Sequence, residues 1–194
     1  MDTREASGQM CSAGYTQTSI FMTVDYGGGN ICNYTILMCY KCGVTGANPH
    51  NFQVKGIFSS TFGCSVPTSG PDFDVFVAKL EEEIFIKWVR MCSIPPCPSS
   101  TRLEIYRIPT CWRLKYNQSL QNFGVIACDE IDSFCIKSQY LCMNYDTTPP
   151  SLMILSESWS KEGTMECEDT IPQPPLMPED GWESDCFEFY KTCN

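Results

Sequence analysis

The chain has one histidine, no basic stripe and no long apolar run, and each shortage removes a class of function. His50 lies in the loop-like stretch Asn48-Pro49-His50-Asn51, and any Ser-His-Asp or Cys-His catalytic site would have to use that single ring. A Gly-x-Ser-x-Gly elbow is absent. The 13 Lys and Arg are scattered singly against 23 Asp and Glu. The resulting formal charge of −10 repels phosphate backbones and anionic lipid surfaces, so nucleic acid is not expected as a partner. No apolar run approaches the roughly 20 residues that span a bilayer, and membrane insertion is not expected. Met1-Asp2-Thr3-Arg4-Glu5 carries no apolar h-region, so no secretory leader is visible; the expectation is a processed chain whose leader has been removed. Gly27-Gly28-Gly29-Asn30 is not followed by Gly-Lys-Ser/Thr and a helix, which makes it a turn and not a phosphate-cradling loop. Asp129, Glu130 and Asp132 cluster, but they lack the Asp-x-Asp-x-Asp-Gly calcium pattern and read as solvated turn acids. No enzymatic activity, metal or cofactor is expected.

What the sequence has is cysteine: 14 in 194 residues. The even count fits seven disulfides, and such a framework persists only where the surroundings are oxidising. The expected location is extracellular or at the cell surface. All of Cys11, Cys32, Cys39, Cys42, Cys64, Cys92, Cys97, Cys111, Cys128, Cys135, Cys142, Cys167, Cys186 and Cys193 are expected to be bonded. Cys32–Cys39, Cys128–Cys135, Cys135–Cys142 and Cys186–Cys193 share a spacing of seven, compatible with an internal repeat or with coincidence. On a regular strand an odd separation points to opposite faces. Cys135 and Cys142 therefore cannot bond each other and should staple their strand to two neighbours, one sulfur facing the core and the other facing out. Cys39-Tyr40-Lys41-Cys42 has the spacing of half a zinc knuckle, but no second CxxC or paired histidine completes it, and disulfide use is favoured.

Residues 16–26 (TQTSIFMTVDY) and 31–40 (ICNYTILMCY) read as strands of a hairpin across the glycine turn. Residues 52–60, 101–108, 111–116, 125–128, 133–145 and 151–159 read as further strands. In residues 72–91, Phe73, Phe76, Val77, Leu80, Ile84, Trp88 and Met91 recur at three- and four-residue steps. That predicts one amphipathic helix, capped by Asp72 or Asp74 and packed on the core. The prolines after Cys92 end it. From 166 on, the chain is acidic and Pro-rich and should run extended. The expected fold is α+β, mainly β. It consists of disulfide-stapled antiparallel sheets, sandwich-like, with one helix near 72–91. An N-terminal arm (1–15) precedes the β domain (16–165), and a Pro-rich extension (166–194) follows it.

Residues 33–42 (NYTILMCYKC), the Pro-rich segment from Cys92 to Cys97, and Cys111-Trp112 together resemble Cys-rich secreted proteins, mostly of unassigned function, from environmental bacteria of the Bacteroidota and neighbouring groups. The resemblance covers residues 18–193 and implies export and a surface role, with no catalytic residues. The leading expectation is a structural subunit of a surface or pilus-like, fimbria-like filament built from copies of this chain. Ile20, Phe21, Met22 and Val24, hinged between a polar run and glycines, form a strand able to close its own hairpin or to fill a neighbour's sheet edge. The competing expectation is a monomeric secreted binding module, an adhesin or receptor ectodomain. Two sequons, Asn33-Tyr34-Thr35 and Asn117-Gln118-Ser119, make Asn117 and Asn33 candidate glycosylation sites.

Overall fold

Apolar residues alternating with polar ones from position 16 onward build the first hairpin. The computed structural model describes residues 11–43, 49–98, 102–128, 133–164, 166–189 and 193, without the side chains of 88–90 and 102–106. β1 (Thr16–Asp25) and β2 (Ile31–Lys41) pair antiparallel, with Asp25 opposite Ile31. Gly27, Gly28 and Gly29 all adopt positive φ in the connection, a region where other residues are strained. β3 (His50–Ser59) lies antiparallel on the other side of β2. After it come α1 (Gly70–Met91) and β4 (Arg102–Pro109), and β4 returns parallel to β3. A parallel neighbour needs a long crossover, and α1 is that crossover. The sheet is therefore mixed, where the sequence predicts antiparallel pairing throughout. β5 (Cys111–Asn117) and β6 (Asn122–Ala127) form one further hairpin, and β7 (Ser133–Asn144) and β8 (Ser151–Gly163) another. β9 (Phe187–Glu188) pairs with β5.

One branched sheet, in place of a sandwich, results from how β3 shares its edge. β2 runs along one side. On the other, His50–Gln53 pair with β4, and Gly56–Ile57 pair with β6. Between the two sets Leu37 faces Gly56 while Met38 faces Val54, so Lys55 is an extra residue in β3. Such a bulge bends its strand, which suits the point where the sheet divides. One wing is β4-β7-β8 and the other β6-β5-β9. The fold remains mainly β, with one helix and seven disulfides.

Helix α1 starts two residues earlier than the stripe predicts. Pro71 occupies its first turn, where a missing N–H is harmless, and Asp72 also lies in that turn. Phe76, Leu80 and Ile84 form its buried stripe; Phe76 meets the Tyr34 ring edge-on at 5.0 Å. Disulfides fix both ends: Cys32–Cys64 joins the start of β2 to the segment before the helix, and Cys42–Cys92 joins the residues just after β2 and α1. The lengths match, since 22 helical residues span about 33 Å and 11 strand residues about 36 Å.

The Pro-rich segment ends inside the sheet. Residues 182–188 run along the outer edge of β5: Tyr116 N–H donates to the Trp182 carbonyl, Ser184 N–H to that of Leu114, and Phe187 faces Trp112. Phe187 and Phe189 are buried against Trp112 and Phe73. The middle of the extension is exposed, with Leu176 and Met177 open to solvent.

Candidate functional site

All 14 cysteines are bonded, as Cys11–Cys39, Cys32–Cys64, Cys42–Cys92, Cys97–Cys142, Cys111–Cys167, Cys128–Cys186 and Cys135–Cys193. Cys135 and Cys142 go to different neighbours. The sulfur expected to face outward is nevertheless buried, because residues 95–97 cover Cys142: Met143 N–H donates to the Pro95 carbonyl and Cys97 N–H to that of Met143. Cys128–Cys186 and Cys135–Cys193 join two segments of equal spacing in register, each across 58 residues. The CxxC pair is split, Cys39 to Cys11 and Cys42 to Cys92. Cys42, Cys92 and His50 bring their ligand-type atoms within 4.8 Å of one another. The two sulfurs are bonded to each other, and His50 accepts from Gly43 N–H at 2.7 Å, so this form offers no thiolate pair to a metal. The acids Asp129, Glu130 and Asp132 lie outside the described residues.

The strand singled out for subunit contact sits in this chain's own sheet. Ile20, Met22 and Val24 are buried opposite Ile36, Tyr34 and Cys32, while Phe21 points away and is 77% exposed. β1 is also an edge: among the described residues it pairs with β2 alone. Residues 16–24 contain no charge and no proline, so the strand itself carries neither of these guards against pairing. At the far end of the run β1-β2-β3-β4-β7-β8 lies a second edge, β8, paired only with β7 among the described residues. Most of its residues are exposed, including Met153, Ile154 and Leu155. Tyr140 faces Ser156 and Leu141 faces Ile154, which leaves Leu155 as an extra residue. This bulge, with Glu157, Lys161 and Glu162, guards the second half of β8 but not residues 151–154.

The hairpin β7–β8 and α1 enclose a groove of about 290 Å³. Two successive cross-strand pairs, Lys137–Trp159 and Gln139–Glu157, put four side chains on one face by strand period. The bulge changes the parity of β8 so that Ile154 shares this face and lines the groove with them. From the helix come Glu81, Glu82 and Phe85. The Lys137 ammonium lies 3.5 Å from Glu81, 3.4 Å from Glu157 and 5.0 Å from the centre of the Trp159 ring. Gln139 is 3% exposed; its Nε2 donates to Glu157, and its Oε1 is buried with no hydrogen-bond partner among the described residues. Glu82 is engaged by Lys79, whose pKa that hydrogen bond raises.

Asn33 is exposed on β2; its Oδ1 accepts from Thr23 and its Nδ2 donates to Thr61. Asn117 ends β5, half-buried, and its Oδ1 accepts from Leu120 N–H in the turn of the β5–β6 hairpin. Near the β1–β2 turn the Tyr26 and Tyr34 hydroxyls meet, and burial is the chief cause raising the pKa of each. No described helix is long and apolar enough to cross a membrane. No protein-family model matches the chain, and no curated protein or solved structure is significantly similar to it.

Proposed function

We propose that the chain is an extracellular structural subunit that assembles with copies of itself, the free edge of β8 in one copy pairing with the free edge of β1 in the next. The observation that carries this is the placement of two long strands, each with one edge unpaired among the described residues, at opposite ends of one run of six. Joining two different surfaces is a heterologous contact, which propagates into an open filament unless the rotation closes a ring. Seven disulfides fit an oxidising compartment, and they set the mode of assembly. Cys11–Cys39 ties the segment before β1 to β2, and Ile20, Met22 and Val24 fill the core, so β1 stays at home and offers its outer edge without being donated. Asn117 and Asn33 stay candidate glycan acceptors of such a surface protein.

Purified oxidised protein should form concentration-dependent polymers by sedimentation velocity, visible as filaments in negative stain. Phe21→Lys and Met153→Lys change exposed positions on the two edges and should each leave a folded monomer. A protein that remains monomeric up to millimolar concentration would sink the assembly idea. The second reading, a monomeric binding module, is favoured by the groove.

A further inference from the structure

The groove between α1 and the β7–β8 hairpin is lined in part by β8, but by side chains on its face and not by its backbone edge, and it combines acidic, basic, amide and apolar groups. We infer that it binds a neutral polyhydroxylated ligand, a single sugar unit. Three observations carry this, independently of whether copies assemble.

The first is Gln139. A buried amide oxygen without a donor is rare in a folded protein, because the lost hydration is not replaced. Gln139 is held with Nε2 on Glu157, so Oε1 has no donor among the described residues and is open to one from a ligand. The second is the balance of charge. Lys137 sits between Glu81 and Glu157, so an incoming cation meets the ammonium at the centre and an incoming anion meets two carboxylates. What fits is a neutral group that donates to the carboxylates and to Gln139 while accepting from Lys137. A hydroxyl does both, and a ring carrying several does so at several points. The third is Trp159, an aromatic flank against which the C–H face of a sugar ring packs, with Ile154 as an aliphatic wall further along the same face. The volume of about 290 Å³ lies at the lower end of small-molecule pockets and suits one ring.

The test uses the full oxidised chain and a panel of glucose, galactose, mannose and N-acetylglucosamine, followed by saturation-transfer NMR and by tryptophan fluorescence. At least one sugar should bind. Glu157→Gln should weaken it by about tenfold or more, the loss expected of one charge-assisted hydrogen bond. Trp159→Ala should abolish the transfer, and Ile154→Ser, at a half-exposed position, should reduce it without perturbing the fold. Butylammonium and acetate serve as cation and anion probes. Absence of transfer from every sugar overturns the inference, as does transfer unchanged in Trp159→Ala and Ile154→Ser, or preferred binding of either ion. Performing the titrations of the parent, Trp159→Ala and Ile154→Ser in the Phe21→Lys background as well keeps this outcome separate from assembly, since that edge is remote in the strand order from the groove.

Discussion

The Tyr26 hydroxyl donates to the Tyr34 hydroxyl across 2.9 Å, and Tyr34 donates in turn to the Ser65 carbonyl at 3.1 Å. The relay ties the first hairpin to the segment that leads into α1. Burial raises both phenols above the ordinary tyrosine value; donation to Tyr34 raises Tyr26 further, and the charge of Asp72 adds to both. An acid whose folded pKa is raised holds its proton longer folded than unfolded. Its stabilisation is therefore complete below the unfolded value, near 10, and is lost as pH rises above it. The protein should unfold in alkali, with tyrosinate absorbance from this pair appearing together with unfolding. Tyr26→Phe should flatten the stability-versus-pH curve above about pH 10, and Tyr34→Phe should cost about 1–2 kcal/mol more at neutral pH by leaving the Ser65 carbonyl without its donor. Equal alkaline slopes in wild type and Tyr26→Phe would refute the assignment.

The clamp on α1 gives a second prediction. Cys32–Cys64 closes 32 residues and Cys42–Cys92 closes 50. Loop entropy assigns about 4 kcal/mol to each, against typical measured values of about 2–4. Removing either bridge as a paired Cys→Ala variant should lower the free energy of denaturant unfolding by that order. Removal of Cys42–Cys92 should in addition free the C-terminal turn of α1, read as faster amide exchange over residues 85–91 than over 72–78. Uniform exchange along the helix would show that packing by Phe76, Leu80 and Ile84 holds it without the clamp.

Gly56 and Gly124 flank Phe58 where the sheet divides. A Cβ on Gly124 would lie 2.7 Å from the Phe58 ring and 2.8 Å from the Ile57 carbonyl oxygen; one on Gly56 would meet the same ring at 2.8 Å and no backbone that near. Side-chain crowding can relax, but a carbonyl committed to a strand cannot. Gly124→Ala should therefore cost about 1–3 kcal/mol and resist rescue, whereas Phe58→Leu should restore most of the stability lost in Gly56→Ala. Thermal unfolding of the two double variants separates them, and equal rescue would mean that the carbonyl contact is unimportant.

Much of this architecture is legible in local pattern. The glycine turn between Asp25 and Ile31 and the alternation of Ile20, Met22 and Val24 mark the first hairpin, and the four-residue step from Phe76 to Leu80 to Ile84 marks the helix. The odd spacing of Cys135 and Cys142 was enough to send them to different partners. What local pattern does not carry is which strands meet. The parallel pairing of β3 and β4 depends on where α1 lands, and the burial of Cys142 on a loop that returns to cover it. The burial of Phe187 depends on a tail that folds back along β5. The groove is hidden for the same reason: Glu81, Gln139 and Glu157 come from three elements and converge only through helix packing and the register of β7 on β8. The bulge at Leu155, which turns Ile154 onto that face, has no signature in the run LMILSE.

Amide exchange distinguishes head-to-tail β1–β8 assembly from a two-fold dimer. In an antiparallel edge strand, alternate N–H groups bond the inner neighbour and the others point to solvent. In dilute protein, roughly half of the amides in β1 and β8 should therefore exchange fast while those paired to β2 and β7 are protected. At concentrations where polymers form, the outward amides of both strands should gain protection together, because each β1–β8 junction covers one edge of each kind. A closed two-fold dimer through β8 alone would protect β8 and leave β1 exchanging. That symmetric alternative carries a handicap readable from the strand itself. Full-length antiparallel pairing of 151–163 with its own copy places position 157 on the axis and sets Glu157 against Glu157, and like charges directly opposite are destabilising. β1 offers residues 16–24 with no charge at all, so β8 meets no such conflict there. Glu157→Gln should accordingly leave the β1–β8 polymer intact and, in the Phe21→Lys background where β1 is blocked, permit a β8–β8 dimer that the parent does not form. Protection of β8 alone in the wild-type polymer would reverse this assignment.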